Sequence, residues 1–188
     1  MALLGSLVGC SDSSYSRVLN DDLPEGFYLS GEFLEFKPRD PSAPDPEWID
    51  PCNEIPEEVL EDIGMKRGER SGGTYFGLVG CSASVDENLK HDPDLVGRDY
   101  GLVINGGPPF NSEYVERGMR IEDRKLEGID GAIFNSMPGN GCFISADTPR
   151  GIFIVSVRHH SEERPISEHC DMAEKAFYKI YNSLREGK

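Results

Sequence analysis

No apolar run in these 188 residues approaches the ~18 to 20 that a membrane-spanning helix requires. Any attachment to a membrane therefore has to come from something other than a span. Basic residues are scarce as well. The 19 Lys and Arg stand against 34 Asp and Glu, for a net charge of −15, which makes nucleic acid a poor partner. The same field repels anionic lipid headgroups and wall polymers, so the folded body should stand off such a surface rather than lie on it. No two cysteines have C-x-x-C spacing, which removes the main support for a zinc ribbon or a thioredoxin-type site. No Gly-x-Ser-x-Gly elbow and no Ser-x-x-Lys constellation is present to support acyl transfer. No internal repeat is evident.

What is present begins with Leu7-Val8-Gly9-Cys10, which follows an apolar start and precedes Ser11-Asp12-Ser13-Ser14. This is the pattern of a bacterial lipoprotein signal at its cleavage site. A small residue lets the peptidase reach the backbone, and the thiol accepts the diacylglyceryl group and becomes the new N-terminus. Met1 to Gly9 contains no Lys or Arg, whereas a full signal carries a basic stretch and roughly 7 to 15 apolar residues. The expectation is that residues 1–9 are the remnant of a signal whose true start lies upstream, and that Cys10 is the lipidation site. The polar residues Ser11 to Asp22 read as a flexible tether. The protein would then sit in the outer leaflet of the cell membrane, facing away from the cytoplasm and held by lipid.

With Cys10 taken by lipid, Cys52, Cys81, Cys142 and Cys170 form an even set in an oxidising compartment, where disulfides form. Four cysteines allow three pairings.

Along the chain, Phe27 to Phe36 is a candidate strand without clean alternation. Pro38 to Pro46 packs four prolines among Asp and Ser as an extended linker. Residues 10–48 are thus assigned to tether and linker, and 49–188 to a single domain. Within it, Pro56 to Gly64 reads as a short helix, with Pro first, acids in the first turn and Gly just past the end. Tyr75, Val79, Cys81, Ala83 and Val85 alternate along a strand that points Cys81 inward. Tyr100 to Ile104 is a second strand, closed by Asn105-Gly106-Gly107-Pro108-Pro109. A short helix over Asn111 to Met119, a strand over Met119 to Leu126 and a strand around Ala132 and Phe134 follow. The clearest hairpin joins Cys142–Ala146 to Ile152–Val157 through a turn at Asp147–Gly151. Ile166, Cys170, Ala173, Phe177, Ile180, Tyr181 and Leu184 form the stripe of an amphipathic helix. Connections this short give an α+β fold: an antiparallel sheet with a short N-terminal helix and a long C-terminal helix packed on it.

Asp50-Pro51-Cys52 before a short acidic helix, Gly80-Cys81 about thirty residues on, Gly139-Asn140-Gly141-Cys142, and a last helix opening His169-Cys170-Asp171-Met172-Ala173 appear in this order. Together they resemble the actinobacterial lipoproteins of domain of unknown function 3558. The resemblance covers Asp50 to the end, about three quarters of the chain, and Leu7 to Cys10 fits it too. It implies an exported, lipid-anchored domain with two disulfides, related in fold to the Mog1/PsbP-like α+β group, and it implies no activity. One departure is that Ser82 and Ala83 follow the strand cysteine, where the family often has an aromatic residue. Pairing each cysteine with its neighbour then gives Cys52–Cys81 and Cys142–Cys170.

Candidate chemistry is sparse. His159 and His160 precede Ser161-Glu162-Glu163, but on a strand they point to opposite faces and cannot easily share a metal; His159 reads as a strand-end packing residue. His169 beside Cys170 suits zinc only with a reduced thiol, which an exported location disfavours. Asp92, Pro93, Asp94 and Asp99 have the composition of a calcium loop without its spacing, since Val103 falls where the bidentate Glu belongs. Asn105-Gly106-Gly107-Pro108-Pro109 lacks the Lys of a phosphate loop, and Met137-Pro138-Gly139-Asn140-Gly141 reads as a turn. The expectation is no catalytic, metal or cofactor residue, and a monomeric, non-enzymatic binding or accessory module of the cell envelope. Its partner would be an envelope protein or a small ligand. The alternative is an envelope hydrolase or metal-dependent enzyme with a site built from loops. Converging Glu, Asp and His would favour the enzyme, and an apolar groove the binder.

Overall fold

The computed structural model describes residues 23–62, 65–75, 77–85, 100–138, 141–159 and 165–187. In chain order the elements are β1 (Gly26–Leu29), β2 (Glu32–Glu35), α1 (Pro51–Glu54), α2 (Glu57–Asp62), β3 (Met65–Tyr75), β4 (Leu78–Val85), β5 (Tyr100–Gly107), α3 (Ser112–Glu116), β6 (Arg120–Leu126), β7 (Ile129–Met137), β8 (Gly141–Thr148), β9 (Gly151–His159) and α4 (Ile166–Arg185). Seven strands form one antiparallel sheet in the order β3-β4-β5-β9-β8-β7-β6, and β1 and β2 form a separate hairpin. The class is the α+β fold expected, with the long helix closing the sheet.

The centre of the sheet follows from period-two alternation. On β8 and β9, Cys142, Ile144 and Ala146 share a face with Phe153, Val155 and Val157, and all six are buried in the larger core, under α4. The helix presents Cys170, Ala173, Phe177, Ile180, Tyr181 and Leu184 to that face, joined by Ala176. Ile166, expected in the stripe, is 49% exposed and lies outside it. The opposite face holds a smaller cluster of Tyr114, Met137, Phe143, Ile152 and Ile154.

Tyr114 belongs to α3, in the connection that carries the chain from β5 past three strands to the edge strand β6. Asn111 opens this short helix by accepting a 3.0 Å bond from the Glu113 N–H. Burial, with a smaller effect from Glu113, pushes the Tyr114 phenol up to about 12. An unfolded tyrosine ionises near 10. The stabilisation of the neutral phenol is therefore complete below that value and is lost as pH rises through about 12. Alkaline titration followed by phenolate absorbance and circular dichroism should place a late-titrating tyrosine and the loss of fold together, and Tyr114→Phe should remove that late titration.

Several expectations require correction. Residues 23–36 are part of the body rather than tether, because Phe27, Leu29 and Leu34 are at most 1% exposed, whereas residues 37–47 form no helix or strand and are largely exposed, as the linker reading expects. Reading Phe27 to Phe36 as one strand failed because the chain turns in the middle of it. Ser30 and Gly31, with φ of 51° and 81°, make the two-residue turn that pairs Phe27 with Leu34. The alternation restarts beyond the turn, and both strands point their apolar residues the same way. Glu25 fastens this hairpin to β7 by accepting from the N–H groups of Asp130 and Gly131 at 3.0 and 2.7 Å. Tether residues 11–22 lie outside the described residues.

The helix expected over Pro56 to Gly64 is α2, and a further, unexpected helix, α1, precedes it. Asp50 is its N-cap and Pro51 its first residue. Residues 63 and 64 lie outside the described ones. The strand expected over Tyr75 to Val85 is β4 from Leu78 onward, with Cys81 buried as expected, while Tyr75 ends the preceding strand β3, with which β4 forms a hairpin. The β3 stretch Lys66 to Thr74 is rich in Gly, Arg, Glu and Ser and carries no apolar alternation to reveal it.

Asn105-Gly106-Gly107 is not a turn but the end of β5, paired with Ile152–Ile154 of β9. A Cβ on Gly106 would lie 2.4 Å from the Ile49 carbonyl oxygen, so the glycine is there to let the segment before α1 lie on the sheet. Gly106→Ala should separate the two and destabilise the fold by about 1 to 3 kcal/mol, read as a lower urea midpoint at an unchanged slope.

Candidate functional site

The polar centre of the molecule is built on the four residues of α1. Asp50 accepts from the Cys52 N–H at 3.2 Å, and Glu54 returns the favour by accepting from the Asp50 N–H at 2.7 Å, a reciprocal arrangement akin to a capping box. At its other end, Arg67 of β3 donates to the carbonyls of Cys52 and Ile55, where helix carbonyls would otherwise lack partners. Arg70 of the same strand pairs with Asp50 at 3.0 Å.

Glu54 is the hub. Arg150, in the turn between β8 and β9, grips it with two parallel bonds of 2.7 and 3.0 Å, the bidentate geometry that makes such pairs strong. Ser30 of the hairpin turn adds a 3.2 Å bond to the same carboxylate. The side chains of Arg150 and Glu54 are only 14% and 13% exposed, whereas Glu32, 3.7 Å from Arg150, is 60% exposed. Burial opposes ionisation of Glu54, but the bonds from Arg150 and the Asp50 N–H outweigh it and hold the carboxyl below its ordinary value. Arg150 also donates to the Glu47 carbonyl at 3.0 Å, so one side chain ties together the segment before α1, α1 itself and the hairpin.

Beside this cluster lies a cavity of about 210 Å³ lined by Tyr28, Ser30, Gly31, Glu54, Pro56 and Gly187. Its walls are thus the β1–β2 turn, the end of α1 with the residue that opens α2, and the C-terminal end of α4. The Tyr28 ring meets Phe33 edge-on at 5.1 Å, which fixes the aromatic wall.

Cys52, Cys81, Cys142 and Cys170 form the pairs Cys52–Cys81 and Cys142–Cys170, with Cα atoms 5.0 and 4.9 Å apart. The first pins α1 to β4 and the second pins α4 to β8. His169 sits next to an oxidised cysteine, and among the described residues no group of His, Cys, Asp and Glu is arranged to hold a metal ion. Cys10, Asp92, Pro93, Asp94, Asp99, Gly139, Asn140, His160, Ser161, Glu162 and Glu163 lie outside the described residues. His159 ends β9, paired with Tyr100, and Val103 is an ordinary residue of β5 paired with Ser156. The Asp147 carboxyl is pushed up by burial and that of Asp40 is held low by hydrogen bonds from Ser42, but neither is part of the cluster around Glu54.

Sequence reading missed Glu54, Arg150, Ser30 and Tyr28. A carboxylate four residues after an Asp-Pro cap was the available signal for Glu54. Nothing local announces Arg150, whose partner is 96 positions away. No protein-family model matches the chain, no curated protein matches it, and no solved structure matches it.

Proposed function

We propose that this chain is a lipid-anchored protein of the cell envelope, held at Cys10 in the outer leaflet of the membrane. On this reading its disulfide-braced body acts as a monomeric, non-enzymatic binding module of the kind suggested by its likeness to lipoproteins of domain of unknown function 3558. The observation that carries the binding reading is the state of Glu54 in the cavity wall. Two bonds from Arg150, one from the Asp50 N–H and one from Ser30 occupy both oxygens. A general acid or base needs a free lone pair or a proton to give near neutral pH, and a carboxylate held below its ordinary pKa and committed to four donors offers neither. What such a wall does supply is a fixed shape and a fixed field, which is what a binding site requires.

Two measurements test the reading. Cys10→Ser should release the chain from the membrane fraction with its circular dichroism unchanged, and a variant that stays with the membrane removes the anchor. Native mass spectrometry of the protein gently extracted from its own membranes should then reveal a noncovalent adduct or a partner subunit. A bare monomer that turns over envelope substrates would instead establish the hydrolase alternative.

A further inference from the structure

Resting on the binding reading above, we propose that the cavity between the β1–β2 turn, α1 and the end of α4 takes a small organic cation. Its preferred ligand carries a fully methylated ammonium group rather than one with N–H donors.

Glu54 is the charged residue of the lining, and among the described residues it and Glu32 share the guanidinium of Arg150, two carboxylates to one cation. Gly187 brings the C-terminal end of α4 to the wall, and a helix C-terminus adds a partial negative charge of about half an electron. Arg185, in the last turn of α4, does not cancel it at the cavity. Its guanidinium is engaged by the carbonyls of Leu23, Pro24 and Gly26, at the end of β1 opposite to Ser30. An anionic ligand is therefore disfavoured.

The cleft is small. At about 210 Å³ it falls below the roughly 300 to 1,000 Å³ of sites for drug-sized ligands and suits a single head group.

The hydrogen-bond inventory narrows the class further. Both oxygens of Glu54 already accept from Arg150, Asp50 and Ser30, so a primary amine would lose its water shell and find this carboxylate occupied. A methylated ammonium has no N–H to satisfy. It needs only a negative field and an aromatic neighbour, and Tyr28, which lines the cavity and whose ring is braced by Phe33, is that neighbour.

The test is a titration of the isotopically labelled full-length chain, followed by amide nuclear magnetic resonance at constant ionic strength. The probes are tetramethylammonium, its neutral isostere neopentyl alcohol, and butylammonium. Tetramethylammonium should give saturable shifts at Ser30, Gly31 and Gly187, with the alcohol and butylammonium each binding more weakly. Tyr28→Leu should weaken tetramethylammonium by about tenfold, and Glu32→Gln by about two- to fivefold. Equal binding of the alcohol would reduce the site to an apolar cleft and overturn the proposal, as would tighter binding of butylammonium or the absence of saturable shifts at these amides. The comparison of probes on the unmodified chain stands even if Tyr28→Leu does not fold. An adduct of other chemistry in the native mass spectrum, together with a silent titration, would remove this inference and leave the binding-module reading in place.

Discussion

Phe27→Ala is expected to destabilise the protein by about 3 to 5 kcal/mol, a large share of the 5 to 15 kcal/mol by which domains are usually stable. The ring is fully buried, packed 4.8 Å from Phe153 and 5.6 Å from Phe36. Its loss leaves a cavity between the hairpin, the sheet and α4 that the rigid sheet cannot fill by collapse. The measurement is the urea midpoint, with Val115→Ala as the control because Val115 is 63% exposed and should change stability by less than about 0.5 kcal/mol. If the two variants unfold alike, the hairpin is an ornament and the domain begins near Asp50 after all. If Phe27→Ala unfolds early, removal of residues 1–36 should leave a chain with no cooperative transition.

Loss of the Cys142–Cys170 bridge should cost nearly as much. Its cysteines are 28 positions apart, for which the chain-entropy model gives about 3 to 4 kcal/mol. The Cys52–Cys81 bridge, spanning 29 positions, has the same entropic value, so the model alone predicts equal effects. Position separates them. Cys142–Cys170 ties β8 to the helix that roofs the larger core, whereas Cys52–Cys81 ties down a helix of four residues that Arg67, Arg70 and Arg150 also hold. Paired Cys→Ala variants compared by urea unfolding should show the larger loss for Cys142 and Cys170. Equal losses would mean that the entropic term accounts for both bridges.

The contrast between what could and could not be read from the sequence has a physical basis. The β8–β9 hairpin and α4 were readable because each buries one face over many residues, so the periods of 2 and 3.6 run long enough to count. The hairpin at residues 26–35 hid itself because its strands are four residues each and its turn reset the alternation. β6 was a faint signal because it is an edge strand. Arg120, Glu122, Asp123, Arg124 and Lys125 crowd it and its register shifts twice against β7, the usual protection of an edge against pairing with another chain. The site was less readable still. Only the Asp50–Glu54 spacing is local, and the residues that complete it arrive from the β1–β2 turn, the β8–β9 turn and the last residues of α4. Such convergence is a property of topology, and no window of sequence contains it.

The contact between the first hairpin and the last helix also governs the order in which this molecule can be completed. Phe36 packs on Phe177 and Tyr181, Phe27 on Phe153, and Arg185 closes on the carbonyls that lead into β1. The apolar neighbours of the hairpin lie more than a hundred positions further along the chain. A chain emerging from its N-terminal end must carry that hairpin unsheltered until β9 and α4 have followed. Contacts between such distant positions slow folding through the entropy of closing the loop. Folding should therefore begin at the β8–β9 hairpin and end with the capture of β1 and β2, as a late step.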